Sequence, residues 1–459
     1  MILHHLMMGG YKGEVYPVNP RGGVIFDRPV YRRISDIPGE VDQAIFTVEA
    51  SLVPDLIPEC VAKGVKAAVV ISAGFGELGS EEARRMEEEL VKRAQEGGMI
   101  LVGPNGQGVV NTASKFYPWM PSLFPPEGKV GIISQSGNLG TFITEEALRF
   151  GMGISKFVSS GNQADLKMED YLDYLADDDR TRCIICYLEG IDDGRRFMDK
   201  VRRVTKKKPV VAIKSGRTEA GAHAARSHTG AMASSDEVVG AALKQAGVIR
   251  TDTVEEAWAL AATSLGQPLP KGPRIGVLTG GGGLGVLAAD ACVSRGLQMA
   301  TLSEGTLEKL KELMPPWWVP GNPVDMVAGL KFNSRKKVLE TLISCEEIDA
   351  LFIIGAGWAN KTRKVYRDSP WAQTFHLNEA MEFLVGRDVN DMIQLAQVIA
   401  QGEKPIYPVT NLAREAVALG YRSLMELLQR DVYLYQCEEL AANVYAGLYG
   451  YANYLRNGI

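Results

Sequence analysis

The chain has little cysteine and little histidine, the side chains that most often cross-link proteins or hold transition metals. Its 459 residues include six cysteines and five histidines. Cys183 and Cys186 have a C-x-x-C spacing, but they lie in the apolar run 183–188, where residues three apart in a strand would point to opposite faces. We interpret them as buried apolar residues, predict no metal site, and infer a reducing compartment, which favours the cytoplasm.

The chain also lacks long apolar runs and any excess of positive charge. No stretch of about 18 uninterrupted apolar residues occurs, and the first residues do not have the basic and then apolar pattern of a signal peptide. Lysines and arginines number 50 against 55 aspartates and glutamates, and the run Lys206–Lys208 is interpreted as a solvated helix end. These features argue against membrane and nucleic-acid partners.

Short apolar runs alternate with helical patterns along most of the chain, which predicts an α/β fold with parallel sheets. The predicted strands are 14–18, 42–48, 65–71, 99–102, 129–134, a strand near 157, 183–188, 209–213 and 274–279. The predicted helices are a helix tail at 1–8, a helix ending near 63, 81–96, 141–150, a long helical region at 236–265, and 284–295. Proline-rich segments at 117–128 and 267–273 interrupt this alternation, so we predict three domains, 1–126, 127–266 and 272–459.

Two turns that join a predicted strand to a predicted helix are rich in serine or glycine: Ser134–Asn138 and Thr279–Gly285. The first N–H groups of a helix have no intrahelical partner and the helix dipole adds partial positive charge, so such turns are able to bind an anion. Serines also cap helices routinely, which leaves a structural role open for the first turn. Four consecutive glycines are costly in conformational entropy, which indicates that another group approaches the second turn.

The second turn also fits the dinucleotide fingerprint. Gly280, Gly282 and Gly285 take the G-x-G-x-x-G positions, and Glu304 lies near the expected ribose-binding distance. An NAD-binding protein is therefore one alternative, although the chain carries no recognisable hydride-transfer residues.

A histidine at position 228 lies among small residues in the segment 225–233, which follows the apolar run 209–213. His223, five residues earlier, does not have the spacing of a second metal ligand, and no cysteine is nearby. The residues alone leave two alternatives, a nucleophilic histidine and a histidine that packs in a loop.

Several short motifs occur in a characteristic order, and together they are specific. They are Val15-Tyr16-Pro17-Val18-Asn19-Pro20, Ser72-Ala73-Gly74-Phe75-Gly76-Glu77, Gly103-Pro104-Asn105, Ser134-Gln135-Ser136-Gly137, Ser227-His228-Thr229-Gly230 and Asn322-Pro323-Val324-Asp325. With them the chain resembles the nucleoside-diphosphate-forming acyl-CoA synthetases, relatives of succinyl-CoA synthetase, and most of all the α subunits of the ADP-forming acetyl-CoA synthetases. The resemblance implies a Rossmann-like CoA-binding domain, here without its first strand, followed by two flavodoxin-like domains with parallel sheets.

The resemblance implies a relay in which phosphate attacks an acyl-CoA, a histidine takes the phosphoryl group from the acyl phosphate, and a nucleoside diphosphate receives it. It assigns the histidine to His228 and the carboxylate that orients its ring to Glu189. It also implies two helix N-termini that stabilise the charge of the phosphohistidine. The matching residues are Ser134, Ser136, Gly137 and Asn138 in the first turn and Gly281, Gly282 and Gly283 in the second.

Coenzyme A is the implied substrate of the first domain, at positions at or just after strand ends, where ligands of open α/β sheets bind. The matching residues are Val18, Asn19, Pro20, Arg21, Thr47, Val48, Ser72, Ala73, Gly74, Gly103, Pro104 and Asn105.

Nothing in the sequence resembles an ATP-grasp domain, so the resemblance implies that ADP or ATP and magnesium bind a partner β subunit, in a homodimeric or heterotetrameric assembly. The strand and glycine-rich turn that precede the family's first helix are absent, which predicts weak CoA binding. A degenerate relative that binds acyl-CoA or a partner without turnover is therefore a further alternative. The sequence specifies neither the acyl group nor ADP over GDP.

Overall fold

The computed structural model describes residues 1–221, 236–327, 334–402 and 404–457. They form two compact units, Met1–Leu148 with Met152–Val254, and Arg149–Gly151 with Glu255–Ile459. Both units are α/β structures in which mostly parallel sheets pack against helices. The predicted boundaries near 126 and between 266 and 272 stay predictions.

The first unit opens with a small parallel sheet and its helices. The helices are α1 (Ile2–Gly9), α2 (Val53–Ala62) and α3 (Glu81–Glu96), and short 3₁₀ helices cover Ile34–Asp36, Ala50–Leu52 and Gly76–Leu78. Strands β1 (Val24–Ile25) and β2 (Arg28–Pro29) form a hairpin, and β3 (Gln43–Phe46), β4 (Ala67–Val70) and β5 (Ile100–Val102) form the sheet in that order. Helix α3 begins as predicted, because the Ser80 side chain accepts a hydrogen bond from the N–H of Ala83.

The predicted strand at 14–18 is wrong. Only Val18 pairs, as an isolated bridge to Tyr31. Pro17 has no N–H to donate to a ladder, and Val18 is exposed, so this segment has neither the hydrogen bonds nor the buried face of a strand.

A six-stranded sheet forms the rest of the first unit, in the order β11-β10-β9-β7-β8-β6. Its strands are β6 (Val109–Asn111), β7 (Glu127–Ser134), β8 (Ile154–Ser159), β9 (Cys183–Leu188), β10 (Val210–Lys214) and β11 (Ile249–Thr251). All neighbours are parallel except β6, which runs antiparallel to β8. The helices are α4 (Gly137–Arg149), α5 (Met168–Asp177), α6 (Gly194–Thr205) and α7 (Asp236–Gln245).

The single helical region predicted for 236–265 is wrong. It is divided into α7, strand β11 and α8 (Val254–Gly266). Gly247 adopts a left-handed backbone with φ 72°, which ends the helical path, and Ile249–Thr251 then pairs with β10. Two β-branched residues in this short segment favour the strand.

The first three residues of the proline-rich segment at 117–128 are buried, whereas most of the others are exposed or half-buried. The Trp119 ring is fully buried and meets the Phe157 ring of β8 edge to face at 5.2 Å. The carbonyl oxygen of Trp119 also lies 2.8 Å from Nδ1 of His5 in α1. This segment therefore ties the first helix to the six-stranded sheet.

The second unit contains five parallel strands in the order β13-β12-β15-β16, with β14 pairing to the end of β12. They are β12 (Arg274–Thr279), β13 (Gln298–Met299), β14 (Val324–Asp325), β15 (Ala350–Ile354) and β16 (Ile406–Val409). After α8, its helices are α9 (Gly282–Val293), α10 (Glu304–Leu313), α11 (Ser334–Ser344), α12 (Trp358–Arg367), α13 (Leu377–Gln401), α14 (Arg422–Leu428) and α15 (Glu438–Asn457).

All six cysteines are free thiols, five of them buried and Cys437 half-buried. Burial raises the pKa of Cys60 to about 11 and the pKa values of Cys186 and Cys292 to about 12. The interpretation of Cys183 and Cys186 as buried apolar residues is confirmed. None of the helices in the described part of the chain combines the length and the apolar character of a membrane span.

Candidate functional site

The three strands of the small sheet end side by side, because Phe46 pairs with Val70 and Val69 with Val102. The residues that follow these strands therefore meet at one edge. The Ser72 hydroxyl donates to the carbonyl oxygen of Val48 at 2.5 Å, and the Asn105 N–H donates to the carbonyl oxygen of Ser72 at 2.9 Å.

A cavity of about 1150 Å³ opens at this edge, within the first unit. This volume is somewhat above the roughly 300–1,000 Å³ of typical small-molecule sites, so the cavity is large enough for a cofactor-sized ligand. Five residues predicted to contact CoA line it: Thr47, Val48, Ser72, Ala73 and Asn105. Three residues of the predicted phosphate turn, Ser136, Gly137 and Asn138, line the same cavity, and so does Glu189, the residue predicted to orient the histidine ring. Residues predicted to bind CoA and residues predicted for the phosphoryl-transfer steps therefore line one cavity.

The predicted phosphate turn is built by a hydroxyl group at the end of β7. Ser134 is fully buried, and its Oγ donates to the carbonyl oxygen of Ser136 at 2.5 Å. Helix α4 starts at Gly137, earlier than the predicted 141, so Gly137 and Asn138 belong to its first turn, where N–H groups lack intrahelical partners. Ser134 thus stabilises the turn from its buried side, while Ser136 to Asn138 line the cavity.

Gln107, which sequence reasoning missed, connects the small sheet to this turn. Its Nε2 donates to Oδ1 of Asn138 at 2.6 Å, and its Oε1 accepts from the Thr141 hydroxyl at 2.8 Å. A Cβ at Gly137 would come within 2.4 Å of the Gln107 side chain, so a larger residue there would force Gln107 to move.

Hydrogen bonds to backbone atoms fix the position of Glu189. The Gln135 side chain accepts hydrogen bonds from the N–H groups of Glu189 and Gly190, and donates to the carbonyl oxygen of Gly190 at 3.0 Å. The Lys214 ammonium donates to the carbonyl oxygen of Glu189 at 2.9 Å, and burial lowers the pKa of this lysine. Gln135 thus joins the predicted phosphate turn to the residue after β9, although sequence reasoning did not assign it a role.

The other predicted CoA residues lie elsewhere. Val18–Arg21 is exposed and does not line the cavity, and the Arg21 N–H donates to Oδ1 of Asn19 at 3.0 Å. Gly103 and Pro104 are buried beneath the edge, and a Cβ at Gly103 would come within 2.5 Å of the carbonyl oxygen of Val70. Their roles, like that of Gly74, stay predictions.

The second predicted phosphate turn lies in the second unit and is built by the same device. The Thr279 hydroxyl, at the end of β12, donates to the carbonyl oxygen of Gly281 at 3.0 Å. Helix α9 then starts at Gly282, where the prediction had 284. A Cβ at Gly280 or Gly283 would meet no atom of the described residues within 4 Å. The predicted convergence of this helix with the His228 loop stays a prediction, because His228 lies outside the described residues.

Replacing Gln135 tests the coupling between the turn and Glu189. We expect Q135A to lower the rate of the predicted phosphoryl transfer roughly 10-fold and Q135E to lower it further, because the glutamate carboxylate would repel the carbonyl oxygen of Gly190 to which the glutamine amide donates. The measurement is the single-turnover rate of enzyme phosphorylation, with CoA binding as the control. Equal rates in wild type and Q135E would contradict this role.

Three domain families match the chain in order. They are a CoA-binding domain at residues 1–112, a succinyl-CoA ligase-like flavodoxin domain at 127–264, and a ligase-CoA domain at 275–358.

Known proteins agree with this assignment. The α subunit of acetate–CoA ligase (ADP-forming) II of Pyrococcus furiosus is 43% identical over 342 residues, 74% of each chain. Acetate–CoA ligase (ADP-forming) I of Archaeoglobus fulgidus is 42% identical, and the match spans 75% of this chain and 50% of that longer protein. Acetyl-coenzyme A synthetase 1 of Ca. Korarchaeum cryptofilum, solved with phosphate and ADP, superposes with a TM-score of 0.81 at 32% identity, covering 100% of this chain and 93% of that one. The chain therefore belongs to the family of α subunits of ADP-forming acetate–CoA ligases.

Proposed function

We propose that this chain is the α subunit of an ADP-forming acyl-CoA ligase that interconverts acyl-CoA, ADP and phosphate with the free acid, ATP and CoA. The observation that carries the proposal is that the residues after the strands of the small sheet, the first turn of α4 and Glu189 all line one cavity. A thioester held at the first end would meet a phosphate held at the second. Family membership supports the same reaction.

In the direction of ATP synthesis, a phosphate oxygen attacks the thioester carbon, the C–S bond breaks, and CoA leaves as a thiolate that takes up a proton. The His228 imidazole then attacks the phosphorus of the acyl phosphate, and the carboxylate leaves. The P–N bond of the phosphohistidine breaks when ADP attacks, which forms ATP and restores His228.

The described residues contribute position and charge stabilisation to these steps. The first-turn N–H groups of α4 would hold the phosphate oxygens, and the Glu189 carboxylate would hold the imidazole with one nitrogen free to attack. Gln135 and Lys214 fix the backbone of Glu189. Electrostatic stabilisation by donors that are already in place costs no reorganisation during the reaction.

The nucleotide and magnesium belong, in this proposal, to an ATP-grasp β subunit, and the complete enzyme is a homodimer of fused chains or a heterotetramer of separate ones. The name "subunit alpha" of the Pyrococcus relative supports a partner. The A. fulgidus relative, of which the match covers 50%, leaves room for a second part in the same chain. The free thiols of all six cysteines support a cytoplasmic location.

The reaction tests the proposal. The purified chain is combined with a β subunit of this family, and ATP formation is measured from acetyl-CoA, ADP and phosphate. We expect ATP only when both subunits are present. A folded complex that neither forms ATP from any acyl-CoA nor forms acyl-CoA from the free acid, ATP and CoA would favour the alternative of a non-catalytic relative.

Calorimetry with CoA tests the first end of the cavity. We expect the chain without its partner to bind CoA weakly, with a dissociation constant on the order of 0.1–1 mM. The predicted CoA residues Val18–Arg21 are exposed and do not line the cavity, so they add no contacts to CoA bound there. The same titration with NAD should show no binding. Micromolar affinity for CoA would contradict the first expectation, and NAD binding would favour the dinucleotide alternative.

A further inference from the structure

Asn162, in the loop after β8, lies between the six-stranded sheet and the small sheet. Its Nδ2 donates to Oε2 of Glu77 at 2.6 Å and to Oε2 of Glu87 at 2.7 Å. Its Oδ1 accepts from Nδ2 of Asn105 at 3.2 Å, and its N–H donates to the carbonyl oxygen of Pro104 at 2.9 Å. One side chain therefore contacts both loops that follow β4 and β5.

The two carboxylates that Asn162 joins hold the loop after β4. Oε1 of Glu77 accepts from the N–H groups of Gly74 at 2.5 Å and Phe75 at 3.2 Å. Oε2 of Glu87 accepts from the N–H of Gly76 at 3.2 Å. Three consecutive N–H groups of this loop are thus bound by carboxylates, and the loop begins directly after the cavity-lining residues Ser72 and Ala73.

The arrangement depends on a neutral double donor. Two carboxylates at hydrogen-bond distance from one atom repel each other unless a donor lies between them. The asparagine amide has two N–H groups, one for each carboxylate, and carries no charge. The loop also requires glycine at position 74, since Gly74 has φ 115° and a Cβ there would come within 3.1 Å of Ala50.

We propose that Asn162 is a positioning residue for coenzyme A: through Glu77 and Glu87 it holds the loop after β4, and with it Ser72 and Ala73, in the conformation that binds CoA. This inference rests on the proposed function. It gives the loop after β8 of the six-stranded sheet a part in shaping the CoA-binding part of the cavity. The side-chain contacts of Asn162 given above are with the loops after β4 and β5 and with α3.

The substitution N162D keeps the side-chain shape and replaces the double donor with a third carboxylate. We expect the KM for CoA to rise at least about tenfold, the loss that accompanies removal of hydrogen bonds to charged groups. The reaction of acyl phosphate with ADP, which does not use CoA, should keep its rate within about twofold of wild type. Both reactions are measured on the complete enzyme with its β subunit.

A charge exchange provides the rescue. In N162D/E77Q/E87Q both glutamine amides donate to the new aspartate, while their carbonyl oxygens accept from the N–H groups of the loop, so a donor again lies between each pair of neighbouring oxygens. We expect this triple variant to recover most of the affinity for CoA. E77Q/E87Q without N162D should not improve on wild type.

The matched control is Q95A. Nε2 of Gln95 donates to Oδ1 of Asp165 at 2.9 Å, so it also connects α3 to the segment after β8, but Gln95 does not line the cavity. Its KM for CoA should stay within about twofold of wild type. An unchanged KM for CoA in N162D, an equal loss in both reactions, or failure of the rescue would overturn the role of Asn162. A wild-type enzyme that catalyses neither reaction would overturn the proposed function, and this inference with it.

Discussion

We expect His228→Ala to remove all phosphorylation of this chain and all net turnover. The imidazole is the nucleophile of the proposed relay, and alanine offers no atom that can accept the phosphoryl group. The assay incubates the chain and its β subunit with γ-labelled ATP and follows label that is stable in base and lost in acid. We expect such label on wild type and none on H228A.

His376→Ala is the matched control. His376 is three-quarters exposed beside Glu379, in the second unit, and no step of the relay uses it. H376A should carry the same label as wild type. Label that persists in H228A would place the phosphoryl group on another residue and contradict the assignment from the sequence. CoA binding should be equal in all three proteins, because neither histidine is among the residues predicted to contact CoA.

Glu189→Gln should slow phosphorylation by about 10²- to 10⁴-fold, the range in which oriented proton-transfer partners contribute to catalysis. The carboxylate favours one tautomer of the imidazole and stabilises positive charge on it, and an amide does neither as well. The change is selective, because the contacts of Glu189 with Gln135 and Lys214 use backbone atoms and remain in the variant.

The rate is best measured by rapid mixing with acyl phosphate and ADP, which isolates the histidine steps. Glu127→Gln is the control, because it makes the same change of a carboxylate to an amide at a surface residue. Glu127 pairs there with Arg180 at 2.6 Å. E127Q should retain the wild-type rate. A wild-type rate in E189Q would mean that another group orients the histidine.

The sequence predicted the parts of this fold that depend on local pattern. Apolar runs at 183–188 and 274–279 became central parallel strands, because such strands are buried on both faces. The helix at 81–96 was found with its bounds, because a capping serine precedes it. Strand β6 was missed, since three residues carry no period, and its antiparallel partner β8 lies more than forty residues away.

In the candidate site, too, the sequence predicted the residues that lie in a local motif and missed those that do not. Ser136 and Gly137 were identified because they lie in one short motif at a strand end, where an anion site is expected. Gln107 and Asn162 were not, because a single polar residue in a loop gives no signal until the fold shows its partners. Gln135 could have been found, since it lies between two residues that were assigned.

The deep burial of five of the six cysteines has a chemical consequence, and burial also raises the pKa of the half-buried Cys437. Only a thiolate reacts readily with alkylating agents and oxidants, and burial raises the pKa of Cys60, Cys186 and Cys292 well above neutrality. The folded chain therefore presents little intrinsic thiol reactivity. A cysteine introduced on the surface would therefore be the preferred point of attachment for a spectroscopic probe. Two such cysteines would allow a distance within this subunit to be measured in solution without first removing the native thiols.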